Sequence, residues 1–118
     1  MLDRDSGLLR GTLDVLVLKA LTWGPRHGYA IAEWVKVATD GDVLVEEGPL
    51  YTALHRLEKN GWVTAEWGYS ENNRRAKYYQ LSRTGRAQLR AEVSLWERYS
   101  RALMSFMKSR WSWRLFSQ

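Results

Sequence analysis

Residues 46–79 run EEGPLYTALHRLEKNGWVTAEWGYSENNRRAKYY, and this stretch decides the fold. Gly48-Pro49 opens a helix, because proline at the first helical position gives up an N–H that has no partner there. Leu50, Leu54 and Leu57 then share one face, which must be the core side. Asn60-Gly61 ends the helix, glycine being the usual residue just past a C-terminus. From Trp62 to Tyr69 the chain alternates Val63, Ala65 and Trp67 against Thr64 and Glu66, the period of a strand. The polar tip Glu71-Asn72-Asn73-Arg74-Arg75 contains Asn-Asn, which tolerates left-handed backbone. Lys77 to Leu81 returns as the second strand.

Upstream, Thr12 is a good N-cap, and Leu13, Leu16, Val17, Ala20 and Leu21 follow it at helical spacing. Val15 and Leu18 lie off that stripe, so the helix is apolar around much of its circumference. It is either central or covered on a second side by another subunit. Gly24 and Pro25 stop it. A second helix is expected from about His27-Gly28-Tyr29 to Thr39, with Ile31, Trp34, Val35 and Ala38 inward. Asp40-Gly41-Asp42 turns the chain, and Val43-Leu44-Val45 has the β-branched character of a short strand. Three short helices followed by a basic-tipped hairpin describe a winged helix-turn-helix, mainly α with a small β hairpin.

Downstream, Ser82 can cap a fourth helix running to about Met107. Leu89, Val93, Trp96, Ser100, Leu103 and Met107 recur at alternating intervals of four and three residues, the seam of a coiled coil. Leu95, Tyr99, Ala102 and Phe106 widen that seam. A helix of roughly 25 residues is ~37 Å long, more than so small a domain covers on one side. Its far half therefore calls for a second copy, which makes it a long C-terminal dimerisation helix; folding back across its own domain is the alternative. Trp96, in mid-seam, has two readings. It is an interface anchor, or with its symmetry mate it lines a cleft that stacks a flat hydrophobic effector. The chain thus divides into a winged-helix domain (8–82), a dimerisation helix (83–109) and a basic-aromatic tail (110–118). Docking on a partner subunit, touching a membrane and fraying all remain open for the tail.

The composition sets limits. The chain has 118 residues, 45% of them hydrophobic, enough for one ordinary core. Seven Trp and six Tyr are many to hide in it, so some belong to an interface or a ligand site. A net charge of +5 favours an anionic partner over a neutral one. Without cysteine, disulfides and thiolate metal sites are excluded. The two histidines, His27 and His55, show no metal-ligand spacing, so neither metal nor other cofactor is expected. No apolar run approaches the ~20 residues of a membrane span, and the N-terminus lacks the plan of a signal peptide. These features suit a cytoplasmic protein. Ser6, Ser70, Ser82 and Asp14 are scattered, and no nucleophile–base pair emerges, so the chain does not look like an enzyme.

Opposite the core leucines of the third helix lie Thr52, His55, Arg56 and Lys59, with Tyr51 on the border and Glu58 on the flank, free to pair with a neighbouring cation. Hydrogen-bonding groups suited to base edges stand here beside cations suited to phosphates. The wing adds Asn73, Arg74, Arg75 and Lys77 on a loop with little core to bury. Such a tip could be basic merely for solubility or to protect a sheet edge. Cations on both helix and wing favour double-stranded DNA as the partner. A winged helix used only for protein–protein interaction is the competing function, since fold does not fix function.

Four ordered motifs then carry a resemblance. His27-Gly28-Tyr29-Ala30-Ile31, Glu47-Gly48-Pro49-Leu50-Tyr51 through Glu58, Gly61-Trp62, and Asn73-Arg74-Arg75-Ala76-Lys77-Tyr78-Tyr79-Gln80-Leu81 are similar to the PadR family of transcriptional regulators. The opening Leu9-Arg10-Gly11-Thr12-Leu13 also fits. The resemblance spans residues 8–90. It implies a homodimeric winged-helix DNA binder, usually a repressor, whose C-terminal helix completes the dimer; where members sense small molecules, the ligand commonly binds near the dimer interface, and some recognise planar aromatics there by stacking. Carried onto this chain, it places Tyr51, Thr52, His55, Arg56 and Lys59 in a DNA groove, with Asn73, Arg74, Arg75 and Lys77 on the flanking backbone. Tyr29 is expected to pack with its hydroxyl satisfied locally, and His27 to open the second helix. Where the family usually shows Ser or Thr after the glycine, this chain has Pro49, which offers no hydroxyl or amide to a phosphate.

Overall fold

The computed structural model describes residues 7–110, with side chains from residue 11 onward. In chain order it contains α1 (Gly7–Ala20), β1 (Arg26–His27), α2 (Gly28–Ala38), α3 (Glu47–Lys59), β2 (Val63–Tyr69), β3 (Arg75–Leu81) and α4 (Arg83–Met107).

Helix α1 is the central one, touching α2, α3 and α4. It starts at Gly7, so Thr12 lies inside it and is not its N-cap. Gly11 does not interrupt it, since a mid-helix glycine costs only about 1 kcal/mol relative to alanine. The buried arc also differs from the expected stripe: Leu18 is completely buried, whereas Leu16 is only half-buried. Val17, Leu18 and Leu21 form one core with Ile31, Leu50, Leu54, Leu57, Val63, Leu81 and Leu89, drawn from every helix and the sheet.

Each later helix is defined by its ends. His27 opens α2, its Nδ1 accepting the Ala30 N–H at 3.2 Å. At the far end Gly41 N–H donates to Lys36 O and Asp40 N–H to Val37 O, with Asp40 in left-handed backbone at φ 52°. That is a Schellman closure made without glycine at its left-handed position. Helix α3 starts at Glu47, slightly before the expected point, so Pro49 occupies the third helical position. It is still harmless there, because the first turn has no intrahelical acceptor for that N–H. The end of α3 repeats the closure: Trp62 N–H donates to Leu57 O and Gly61 N–H to Glu58 O, both at 3.0 Å, with Gly61 at φ 78°.

The sheet has three strands in the order β1-β3-β2, all antiparallel. The expected strand at Val43-Leu44-Val45 does not form. A strand needs a partner edge, and the free edge of β3 is taken by Arg26 and His27, opposite Tyr79 and Tyr78. Between β2 and β3, Val63 pairs with Leu81 and Trp67 with Lys77, and Tyr69 with Arg75 closes the register.

The junction from wing to α4 is tightly bonded. Ser82 Oγ donates to Gly61 O at 2.6 Å and accepts the Gly85 N–H at 3.0 Å, and Thr84 Oγ1 donates to Gly61 O at 2.9 Å. Gly85 lies so close to the Trp62 carbonyl that a Cβ there would collide with it. Gly85→Ala should therefore destabilise the fold by about 2 kcal/mol, as overpacking against a fixed backbone does. Gly11→Ala, a helical site with open space around it, should stabilise by roughly 0.5–1 kcal/mol. Urea midpoints of the two variants against wild type check both signs.

Candidate nucleic-acid interface

Helix α3 buries Leu50, Ala53, Leu54 and Leu57. Ala53 joins the expected leucines, its small side chain allowing close approach. Tyr51, Thr52, His55 and Lys59 stand on the exposed side, and Arg56 and Glu58 are half-buried on its flanks. Arg56 does not stand free, as the sequence suggested. Its guanidinium faces Asp14 of α1, Nη2 bonding Oδ1 and Nε donating to Oδ2 at 3.4 Å. Asp14, which showed no partner in the sequence, thus acquires one. Glu58 pairs with Lys77 of β3 at 3.4 Å, so one wing cation is engaged with the back of α3. Among the described residues, Lys59, Arg74 and Arg75 are the cations of helix and wing that carry no ion pair.

The wing tip is a tight turn. Ser70 N–H donates to Arg74 O and Asn73 N–H to Ser70 O, both at 2.8 Å. Asn73 sits at φ 59°, left-handed backbone that asparagine tolerates better than most residues. Asn72, Asn73, Arg74 and Arg75 are all exposed, and the Arg75 guanidinium lies 4.6 Å from the Trp67 ring. That stacking holds a planar cation on the wing. Trp67 itself is 60% exposed. Its alternation with Val63 and Ala65 puts it on the inner face, but β2 outruns the core that this face covers.

Tyr51, which stays 44% exposed, also has a local packing contact. Tyr51 lays its ring across the start of α2, where a Cβ on Gly28 would come 2.6 Å from its hydroxyl. A Cβ on Gly28 would displace the Tyr51 ring, so the glycine permits this close approach within the His27-Gly28-Tyr29 motif. Tyr29, expected to pack, is 70% exposed. Between α2 and the wing runs an open groove of about 980 Å³, lined by Tyr29, Trp34, Tyr51, Trp67, Arg74 and Arg75 among others. Tyr29 and Trp67 line this groove, and the surplus of aromatic rings over what one core can hold was their only sequence signal. Burial holds the Tyr79 phenol above its ordinary range, with Lys77 opposing and Glu58 and Tyr51 reinforcing the rise.

The proposed seam on α4 needs one correction. Leu89 is buried in the core of its own domain, so it is not available to a second chain. Trp96 is half-buried, and beyond it every described residue is exposed. Val93, Leu95, Tyr99, Ser100, Leu103, Phe106 and Met107 thus project on an arm that helps stretch the chain to 66 Å against 28 and 23 Å across. Most of the basic-aromatic tail, from Trp111 onward, lies outside the described residues. Among the described residues, no helix is long and apolar enough to cross a membrane.

Comparison with known proteins agrees with this architecture. A model of the transcriptional regulator PadR-like family matches residues 17–91. A transcriptional regulator from Clostridium thermocellum superposes with a TM-score of 0.78 at 31% identity, covering 87% of this chain and all of that one. A PadR family transcription regulator from Clostridium difficile superposes at 0.68 with 26% identity, over 80% of this chain and 97% of that one. An uncharacterised protein of Lysinibacillus sphaericus is 29% identical over 103 residues, which is 87% of this chain and 94% of its own length.

If the free wing cations meet phosphate, Arg74→Ala should weaken binding to all duplex sequences alike and reduce the salt slope by about 0.9. Lys77→Ala should lower it by less, because Lys77 is already paired with Glu58. Titrations at several salt concentrations separate the two.

Proposed function

The chain belongs to the PadR-like family of transcriptional regulators, and from that premise we propose that it is a homodimeric repressor that binds an inverted-repeat operator. The observation that carries this reading is the joint placement of Thr52, His55 and Lys59 on the exposed side of α3 with Asn73, Arg74 and Arg75 at the wing tip. Thr52 and His55 offer hydrogen bonds to base edges in the major groove. Lys59 and the wing supply the charge that holds phosphate on either side. Tyr51 serves α3 indirectly, by seating it against α2, and Arg56 is occupied by Asp14. Acting on chromosomal DNA places the protein in the cytoplasm.

The arm of α4 supports the dimer. Val93, Leu103 and Met107 share one exposed face, and Leu95, Tyr99 and Phe106 broaden it. A second copy covers such a face by the heptad packing its spacing allows. Trp96 lies half-buried where the arm leaves the domain. There it is placed to line an interface cleft for a flat hydrophobic effector whose binding would alter the spacing of the two α3 helices.

Selection from random duplex DNA by the purified protein should enrich an inverted repeat, with half-sites one or two helical turns apart. Enrichment of nothing, with only weak salt-sensitive binding, would favour a winged helix turned to protein–protein interaction. On an enriched site, Thr52→Ala or His55→Ala should change sequence preference and not merely weaken binding uniformly. The double substitution Leu103→Asp and Met107→Asp should give a folded monomer at micromolar concentration. Sedimentation and circular dichroism report those two properties separately, and a variant that stays dimeric would move the interface elsewhere.

A further inference from the structure

Asp14 and Arg56 stand apart from the other ion pairs of the chain. Their side chains are 17% and 28% exposed, against 37% for each partner of Lys77–Glu58 and at least 70% for Arg101–Glu97. The pair joins residues 42 apart in sequence, and the guanidinium reaches both carboxylate oxygens, Nη2 bonding Oδ1 and Nε donating to Oδ2 at 3.4 Å. The apolar contacts of Leu50, Ala53, Leu54 and Leu57 hold α3 onto the core, but hydrophobic contact is non-directional and sets the roll of a helix only loosely. Arg56 adjoins His55 and lies one helical turn from Thr52, so its tether to α1 determines where those two side chains point. Breaking the tether would leave a half-buried carboxylate without its counter-charge, which disfavours the swing of Arg56 toward a phosphate.

We propose that Asp14 and Arg56 form a positioning latch: it fixes the roll of α3 on α1, so that Arg56 governs sequence discrimination without touching DNA. Asp14 at the same time keeps the Arg56 charge off the phosphates. The inference rests on α3 being the DNA-reading helix. Helix α1, which carries Asp14, packs against both α3 and α4.

The test uses the full chain, its selected operator and a random duplex of equal length, titrated over a range of salt. Arg56→Gln should keep the wild-type salt slope while its operator-to-random affinity ratio falls by about tenfold. Asp14→Asn should steepen the slope by about 0.9, as a freed cation reaches phosphate, and should also lower that ratio. A merely structural pair would lose stability without steepening any slope. A slope shallower by about 0.9 for Arg56→Gln with the ratio unchanged would make Arg56 an ordinary phosphate contact and overturn the latch. A slope for Asp14→Asn no steeper than wild type would overturn it too. Should either single variant fail to fold, the doubly neutral Asp14→Asn, Arg56→Gln chain should show the wild-type slope with a reduced ratio; an undiminished ratio counts against the latch. If the wild-type protein selects no DNA, the regulator reading fails and the latch with it; a selected operator on which both variants keep the wild-type slope and ratio overturns the latch alone.

Discussion

Burial of α1 on several sides is the constraint on which the rest of the structure depends. Val17, Leu18 and Leu21 are shielded by three other helices, and no element of the domain could close its core without them. An apolar helix of this kind must be surrounded, because its exposed flank would otherwise cost about 25 cal/mol for each Å² left in water. The surrounding helices are in turn held at their ends by hydrogen bonds, most densely where Gly61, Ser82, Thr84 and Gly85 meet. The wing and α4 therefore leave the domain in directions set by backbone bonding, not by flexible linkers.

Charge on the outer surface is sorted by that packing. Arg56 and Lys77 are each matched to a carboxylate on another element. A half-exposed pair such as Lys77–Glu58 contributes little stability, about 0–1 kcal/mol, but it still subtracts a cation from those available to a ligand. What remains unpaired on helix and wing is Lys59, Arg74 and Arg75, and Thr52 and His55 are exposed on the same helix as Lys59.

The aromatic residues are sorted in the same way. Tyr79 is buried, whereas Tyr29, Tyr51 and Trp67 line the groove, Tyr51 also lying against Gly28. Indole stacked under a guanidinium loses less freedom on binding than a mobile arginine would, so Trp67 stiffens the wing as well as presenting its own surface.

The helices, the hairpin, their order and the outward face of α3 were legible in the sequence, because periodicity, capping residues and turn chemistry are local and act within a few residues. So was the motif set that carries the family. The tertiary structure decided what depended on neighbours distant in sequence. It gave the edge of β3 to Arg26 and His27 and not to the more strand-like Val43-Leu44-Val45, because pairing requires a free edge and not propensity alone. It took Leu89 into the core, where the heptad had assigned it to a partner, because the first turns of α4 still lie over α1. It laid the Tyr51 ring against Gly28, where there is no Cβ, and left Tyr29 exposed. And it turned Arg56 from a free cation into a paired one, since only the packing of α1 on α3 brings Asp14 within reach.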